Sequence, residues 1–351
     1  LDGSGGPLWV AIGNGSNTIV TSPDGITWTG ISANGGLTNN VTGAGVAYGL
    51  DGSGQPLWVA VGGGSNSIAT SSNGTTWTGV TTNGGITTGY GVAYANNLWV
   101  AVGTGTNKIA TSTNGITWTG QTANGGITSA GIGVAYGNGL WVAVGNGSNT
   151  IATSTDGTAW TGVTANGGIN SYGRSVAYGN GIWVAVGSNG SNSIATSTNG
   201  TAWTGVTANG GLTTGGWSVA YANNLWVAVG AGSNTIATSP DGITWTGQTA
   251  NGGLTTKGYG VAYANGLWVA IGSGSNTIAT SSDGITWTGR TANGGLNTNT
   301  YGAGVAYGNG LWVAVGEGGN KIATSTNGTS WTGISANGGI NTYGFGVAFK
   351  N

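Results

Sequence analysis

A unit of about 42 residues recurs eight times along the chain: Gly-Val-Ala-Tyr, then Leu-Trp-Val-Ala-Val-Gly, then Thr-Ile-Ala-Thr-Ser, then an Asp/Asn-Gly turn into Thr-Trp-Thr-Gly. Its first tryptophans are Trp9, Trp58, Trp99, Trp141, Trp183, Trp226, Trp268 and Trp312, at steps of 49, 41, 42, 42, 43, 42 and 44 residues. A second tryptophan follows in every unit, so 16 of the 17 are repeat positions and Trp217 stands apart. Such a chain does not gather one core from distant segments. Each unit buries its apolar faces against neighbours like itself.

The fourth unit shows the local pattern. Extended runs at 133–136, 140–145, 150–154 and 158–162 are separated by Asn138-Gly139, Gly147-Ser148-Asn149 and Asp156-Gly157. Asn-Gly and Asp-Gly supply the positive φ of tight hairpins, so four antiparallel strands are predicted per unit. Gly, Thr, Asn and β-branched residues dominate, and no 3.6-residue period is present, which excludes helices. In Leu140-Trp141-Val142-Ala143-Val144-Gly145, Leu and Val share one face and Trp, Ala and Gly the other. Both faces are apolar, so both are buried, bulky against small. Radial stacking of such four-stranded sheets is a β-propeller. The predicted fold is all-β, one domain over 1–351, with eight blades.

The chain opens on Leu1-Asp2-Gly3-Ser4, in a hairpin loop whose first strand is missing, and closes on Gly346-Val347-Ala348-Phe349, a first strand without the rest. The C-terminal strand is therefore predicted to complete the first blade and close the ring. A first residue of Leu rather than Met predicts a processed or truncated N-terminus.

Composition removes most chemistry. Six Lys/Arg stand against seven Asp/Glu, with no His and no Cys. That leaves no basic footprint for nucleic acid, no thiolate or imidazole metal site and no Ser-His-Asp triad. No run is long enough to insert in a membrane. No cofactor or metal is expected. The loops at 2–7 and 51–56 hold one carboxylate each, too few for calcium. A surface so poor in charge points to an extracellular or particle-surface setting.

The turn between strands three and four reads Ser22-Pro23-Asp24-Gly25-Ile26-Thr27-Trp28 and recurs at Asn73, Asn114, Asp156, Asn199, Asp241, Asp283 and Asn327. It resembles the Asp-box, or sialidase-type (BNR) repeat, of propeller proteins seen in secreted bacterial and large-virus proteins. It is one residue shorter than the usual Ser-x-Asp-x-Gly-x-Thr-Trp. The resemblance spans all eight units and implies a structural turn whose carboxylate or amide caps backbone N–H groups. It does not extend to sialidase chemistry. Arg174 and Arg290 are the only arginines and Glu317 the only glutamate, whereas glycoside hydrolysis needs paired carboxylates in one cleft. No catalytic residue is expected, and the reading is a non-catalytic member.

In near-identical repeats the positions that differ carry information. Two residues before the first-strand Val, and two further back, the units place Tyr90, Arg174, Trp217, Lys257, Tyr259 and Phe345. If the first strand is innermost, these ring the mouth of a central channel, where aromatics and cations suit a sugar or a peptide. The bland alternative is that relaxed positions drift and aromatics fill gaps of variable size. The function read from this is a binding or adhesion scaffold, with a glycan or a protein surface as partner. The alternatives are a building block that self-assembles into a larger structure, and an idealised repeat with no evolved ligand.

Overall fold

The computed structural model describes residues 5–39, 44–297 and 304–350, all strand, turn and coil without helix. The chain forms two compact units, 1–122 with 292–351, and 123–291. Each holds four four-stranded antiparallel blades.

In 123–291 the blades open on the first strands Ala130–Gly137, Tyr172–Gly179, Gly215–Ala222 and Lys257–Ala264; they are the fourth to seventh blades of the chain. First strands of consecutive blades lie against one another within this unit, as the inner strands of a propeller do. The seventh blade is typical. Lys257–Ala264 pairs with Leu267–Ser273, which pairs with Ile278–Ser281, which pairs with Thr288–Gly289. Its first hairpin turns on Asn265 and Gly266, at φ 50° and 74°. These are the two positive values that a tight turn between right-twisted strands requires.

In the other unit the blades open on Tyr343–Lys350, Val46–Leu50, Ile86–Ala95 and Gly304–Gly308. The C-terminal strand does complete the first blade: Tyr343–Lys350 pairs with Leu8–Asn14, with Trp9 opposite Phe349.

Blades join by bulky-on-small packing. Between the sixth and seventh, Val227, Val229 and Ile236 meet Trp268, Ala270, Ala279 and Trp287 in one buried cluster. A wholly buried Val or Ile contributes about 1.5–3 kcal/mol, so each seam is a large part of its blades' stability. Each first tryptophan also packs on the aromatic opposite it, as Tyr263 on Trp268 at a centroid distance of 4.9 Å.

The linker between these blades, Ala250-Asn251-Gly252-Gly253-Leu254, is tied to both. The Asn251 amide donates to Thr235 Oγ1 of the sixth blade at 3.3 Å. The Asn276 amide of the seventh donates to the Gly252 carbonyl at 3.0 Å, and the Trp287 N–H to the Ala250 carbonyl at 3.0 Å. Gly252 and Gly253 take φ of 64° and 82°, which drops Leu254 into the core at 0% exposure. A Cβ on Gly252 would lie 2.6 Å from that of Ala279.

Two glycines therefore separate steric from conformational cost. Gly266 has a similar φ of 74°, but a Cβ there would meet nothing within 4 Å, so Gly266→Ala loses only the left-handed preference, about 1–2 kcal/mol. Gly252→Ala adds an overlap of about 1–3 kcal/mol. Denaturant midpoints should rank Gly252→Ala below Gly266→Ala, and equal midpoints would refute the close packing of the linker.

Candidate functional site

The variable positions found in the sequence share one structural cause. In six described first strands the ladder shifts register next to the conserved Val, leaving Tyr90, Ile132, Arg174, Trp217, Tyr259 and Phe345 as the extra residue of a β-bulge. A bulged residue is released from the ladder, so its side chain is aimed independently of the pleat. The glycine before it lets the bulge tuck against the preceding blade: a Cβ on Gly216 or Gly258 would lie 2.6 Å from the Cβ of Val186 or Val229.

In 123–291 three adjacent bulges converge. The Arg174 guanidinium lies 4.9 Å and the Lys257 ammonium 4.3 Å from the Trp217 ring centroid. Tyr172 lies 5.6 Å from the same guanidinium and Tyr259 5.8 Å from the same ammonium. Trp217 rests over Gly215, where an added Cβ would meet the ring at 3.1 Å and Ser188 Cβ at 2.6 Å. Ser188, buried at the end of Ile182–Ser188, accepts the Arg174 Nε–H at 2.9 Å. That anchor holds the guanidinium in place beside the indole. Burial, and then the charge of Arg174, lower the Lys257 pKa. Tyr172 stands at the same variable position of its unit as Lys257, and Ser188 is the member that the sequence did not single out. Ser188 had no visible signal, because its role depends on a pairing across blades, Ser188 with Gly215.

The other two predicted residues lie in the other unit. Tyr90 is half-buried on its bulge. Phe345 is 7% exposed, stacked on Tyr343 at 6.1 Å, and packed with Ala44 and Leu37 in the seam of the first and second blades. It has the surroundings of a core residue. Asp2 lies outside the described residues. Asp51 accepts the N–H groups of Ser53 and Gln55 at 2.7 and 2.8 Å, closing its own loop. A seam groove of about 390 Å³ between the fourth and fifth blades, lined by Leu140, Thr153, Thr161, Val163 and Thr201, holds no charged side chain. Among the described residues no three His, Cys, Asp or Glu side chains are grouped as a metal site would need.

The eight repeated turns are alike in detail. In the first, Ser22 Oγ donates to Asp24 Oδ1 at 2.8 Å, the N–H groups of Ile26 and Thr27 donate to the same oxygen at 2.8 and 2.7 Å, and the Trp28 indole N–H donates to the Gly25 carbonyl at 2.8 Å. Asn73 Oδ1 accepts the corresponding N–H groups of Thr75 and Thr76 at 2.9 Å. An amide oxygen thus serves as well as a carboxylate, which accounts for the exchange of Asp and Asn between units.

No protein-family model matches the chain, and no curated protein matches its sequence. Solved structures match its fold. The computationally designed Ika8 protein superposes with a TM-score of 0.61 at 13% identity, covering 93% of this chain and 94% of that one. YCF48 bound to D1 peptide gives 0.54 at 18% identity, over 84% and 98%. The GH74 enzyme of Niastella koreensis gives 0.44 at 18% identity, over 96% and 62%, too loose a likeness to bear on chemistry. The fold is an eight-bladed β-propeller of four-stranded antiparallel blades.

The turn carboxylates give the molecule a predictable acid response. Backbone N–H groups of Ala159 and Thr158 hold Asp156 far below the usual carboxylate range, and those of Thr244 and Ile243 lower Asp241. Asp283 is lowered by the Thr286 N–H and the Ser281 hydroxyl. For Asp24, burial pushes upward but the Thr27 and Ile26 N–H groups outweigh it. A depressed folded pKa stabilises above the unfolded value, about 4, and that stabilisation drains away as pH falls through the folded pKa. Changing Asp24, Asp156, Asp241 and Asp283 together to Asn should therefore flatten the fall of Tm below about pH 4 while keeping the fold at neutral pH. An unchanged acid limb in the variant would show that the turns do not carry it.

Proposed function

We propose that this chain is a non-catalytic binding scaffold that takes a glycan on the bulges of its fifth to seventh blades, outside a cell or on a particle surface. The observation that carries this reading is the convergence of Tyr172, Arg174, Trp217, Lys257 and Tyr259 on three neighbouring first strands. Aromatic bodies with polar or charged partners are what a concave recognition site needs, and the bulge frees a side chain from the ladder. The chemistry of the chain supports binding over turnover: all three acids of 123–291 are Asp156, Asp241 and Asp283, each bonded into its own turn. A propeller bound to a peptide, as in the YCF48 structure, supports the use of this fold as a scaffold.

A second reading, a building block that packs against further copies, is favoured by Ile26, Ile116, Ile243 and Ile285, each 53–55% exposed on its Asp/Asn-Gly turn. Sedimentation velocity separates it from a monomeric binder.

The direct test is a glycan array probed with the purified chain and with a Trp217→Ala/Tyr259→Ala variant of equal melting temperature. Binding by the parent that disappears in the variant is the expected result. Binding by neither protein, or equally by both, would refute the assignment of the bulges as the site.

A further inference from the structure

We infer that the ligand of this patch is an anionic polysaccharide, whose carboxylate or sulfate groups are held by Arg174 and Lys257 while its sugar rings contact Tyr172 and Tyr259; this rests on the glycan-binding reading above.

A neutral sugar would need an open aromatic face. The largest ring of the patch does not offer one freely, because two cations lie within 4.9 and 4.3 Å of the Trp217 centroid. Their charged centres are therefore no farther apart than the sum of those distances, about 9 Å. Two like charges at that spacing repel, and burial adds to the cost for Lys257. An oxyanion placed against them removes the repulsion and gains charge-assisted hydrogen bonds. The indole contributes by holding both cations through its negative face.

The acids of this unit stand away from the patch. Those of 123–291 belong to the turns beside Ser154, Ser239 and Ser281, which pair with Trp141, Trp226 and Trp268, the second residues of the second strands. Lys257 and Gly215, by contrast, pair with the last residues, Ser273 and Ala231. A second strand such as Leu225–Ala231 has seven residues, so the two ends of a blade lie about 20 Å apart. That is twice the screening length at physiological salt, about 8–10 Å. The patch end of these blades thus holds Arg174 and Lys257 and none of the three acids of 123–291, while Arg290 donates to Thr280 Oγ1 on the third strand of its blade.

Sugar rather than acidic peptide is favoured by the flanking phenols. Tyr172 is 36% exposed and Tyr259 half-buried, on strands either side of the Trp217 strand; the cations lie 5.6 and 5.8 Å from their centroids, farther than from the Trp217 centroid, so these are the less covered rings. Alternating oxyanions and apolar ring faces are the pattern of an acidic polysaccharide.

The test is binding of the full chain to polygalacturonate, dextran sulfate, unmodified dextran and poly-glutamate, at about 50 and about 300 mM salt. The parent should bind polygalacturonate or dextran sulfate, weaken with salt, and lose about tenfold or more in affinity on Arg174→Gln/Lys257→Gln. Lys257→Arg, which keeps the charge, should bind nearly as the parent does, and melting temperatures check that each variant is folded. Preference for polygalacturonate identifies a carboxylate, and preference for dextran sulfate a sulfate. Equal binding of unmodified dextran would overturn the anionic ligand but leave the glycan reading standing. Poly-glutamate bound as tightly, with the same loss in the variant, would overturn the carbohydrate. No binding to any polymer would overturn both.

Discussion

Everything else in the blades hangs on an amide-to-carbonyl hydrogen bond repeated eight times along the chain. Asn17, Asn66, Asn107, Asn149, Asn192, Asn234, Asn276 and Asn320 each donate to the first glycine carbonyl of the preceding linker, at 2.8–3.0 Å. The bond exists only because the Gly-Gly pair takes positive φ, and that conformation in turn sends the next Leu or Ile into the seam. Leu254 is wholly buried, and Lys257 opens the following strand three residues later. The clamp therefore does more than tie blades together. In the seventh blade it fixes where the first strand begins, and so where its bulge projects.

Uniformity elsewhere is what makes the bulge informative. Along the ladder, every residue answers to a partner on the next strand and to a face on the next blade, so seams such as Val227, Val229 and Ile236 against Trp268, Ala270 and Ala279 recur with little change. The bulged residue has no partner in the ladder. It is Ile132, Arg174, Trp217 or Tyr259 in successive blades of one frame.

The architecture was largely legible in the sequence because it is local. Tryptophan spacing, Asn-Gly turns and period-two alternation each concern residues close in the chain, and together they gave four strands per unit and the first blade completed by Tyr343–Lys350. The bulges were not legible. Gly-x-Gly before Val reads as small-large alternation, and the register shift appears only when the second strand is laid beside it, as between Gly258 and Gly260. Variability led to positions that share the bulge, but it could not sort them by surroundings. Phe345 and Trp217 occupy equivalent sites, yet the first is 7% exposed and the second draws two cations. The difference lies in neighbours three-dimensionally adjacent: Ala44 beside Phe345, Arg174 and Lys257 beside Trp217.

The scarcity of charge sharpens that contrast. The whole chain has six Lys/Arg, and two of them meet over a single indole. Stability would be better served by separating them, since burial, and then the nearby Arg174 charge, lower the Lys257 pKa and a cation–π contact returns only about 0.5–2 kcal/mol. Gly215 beneath the ring and Ser188 beneath the guanidinium show that the neighbouring backbone accommodates the arrangement. Local rules of a repeat are broken most often where function requires it. Here the bulge recurs in six described first strands, and the meeting of two like charges falls on three of them.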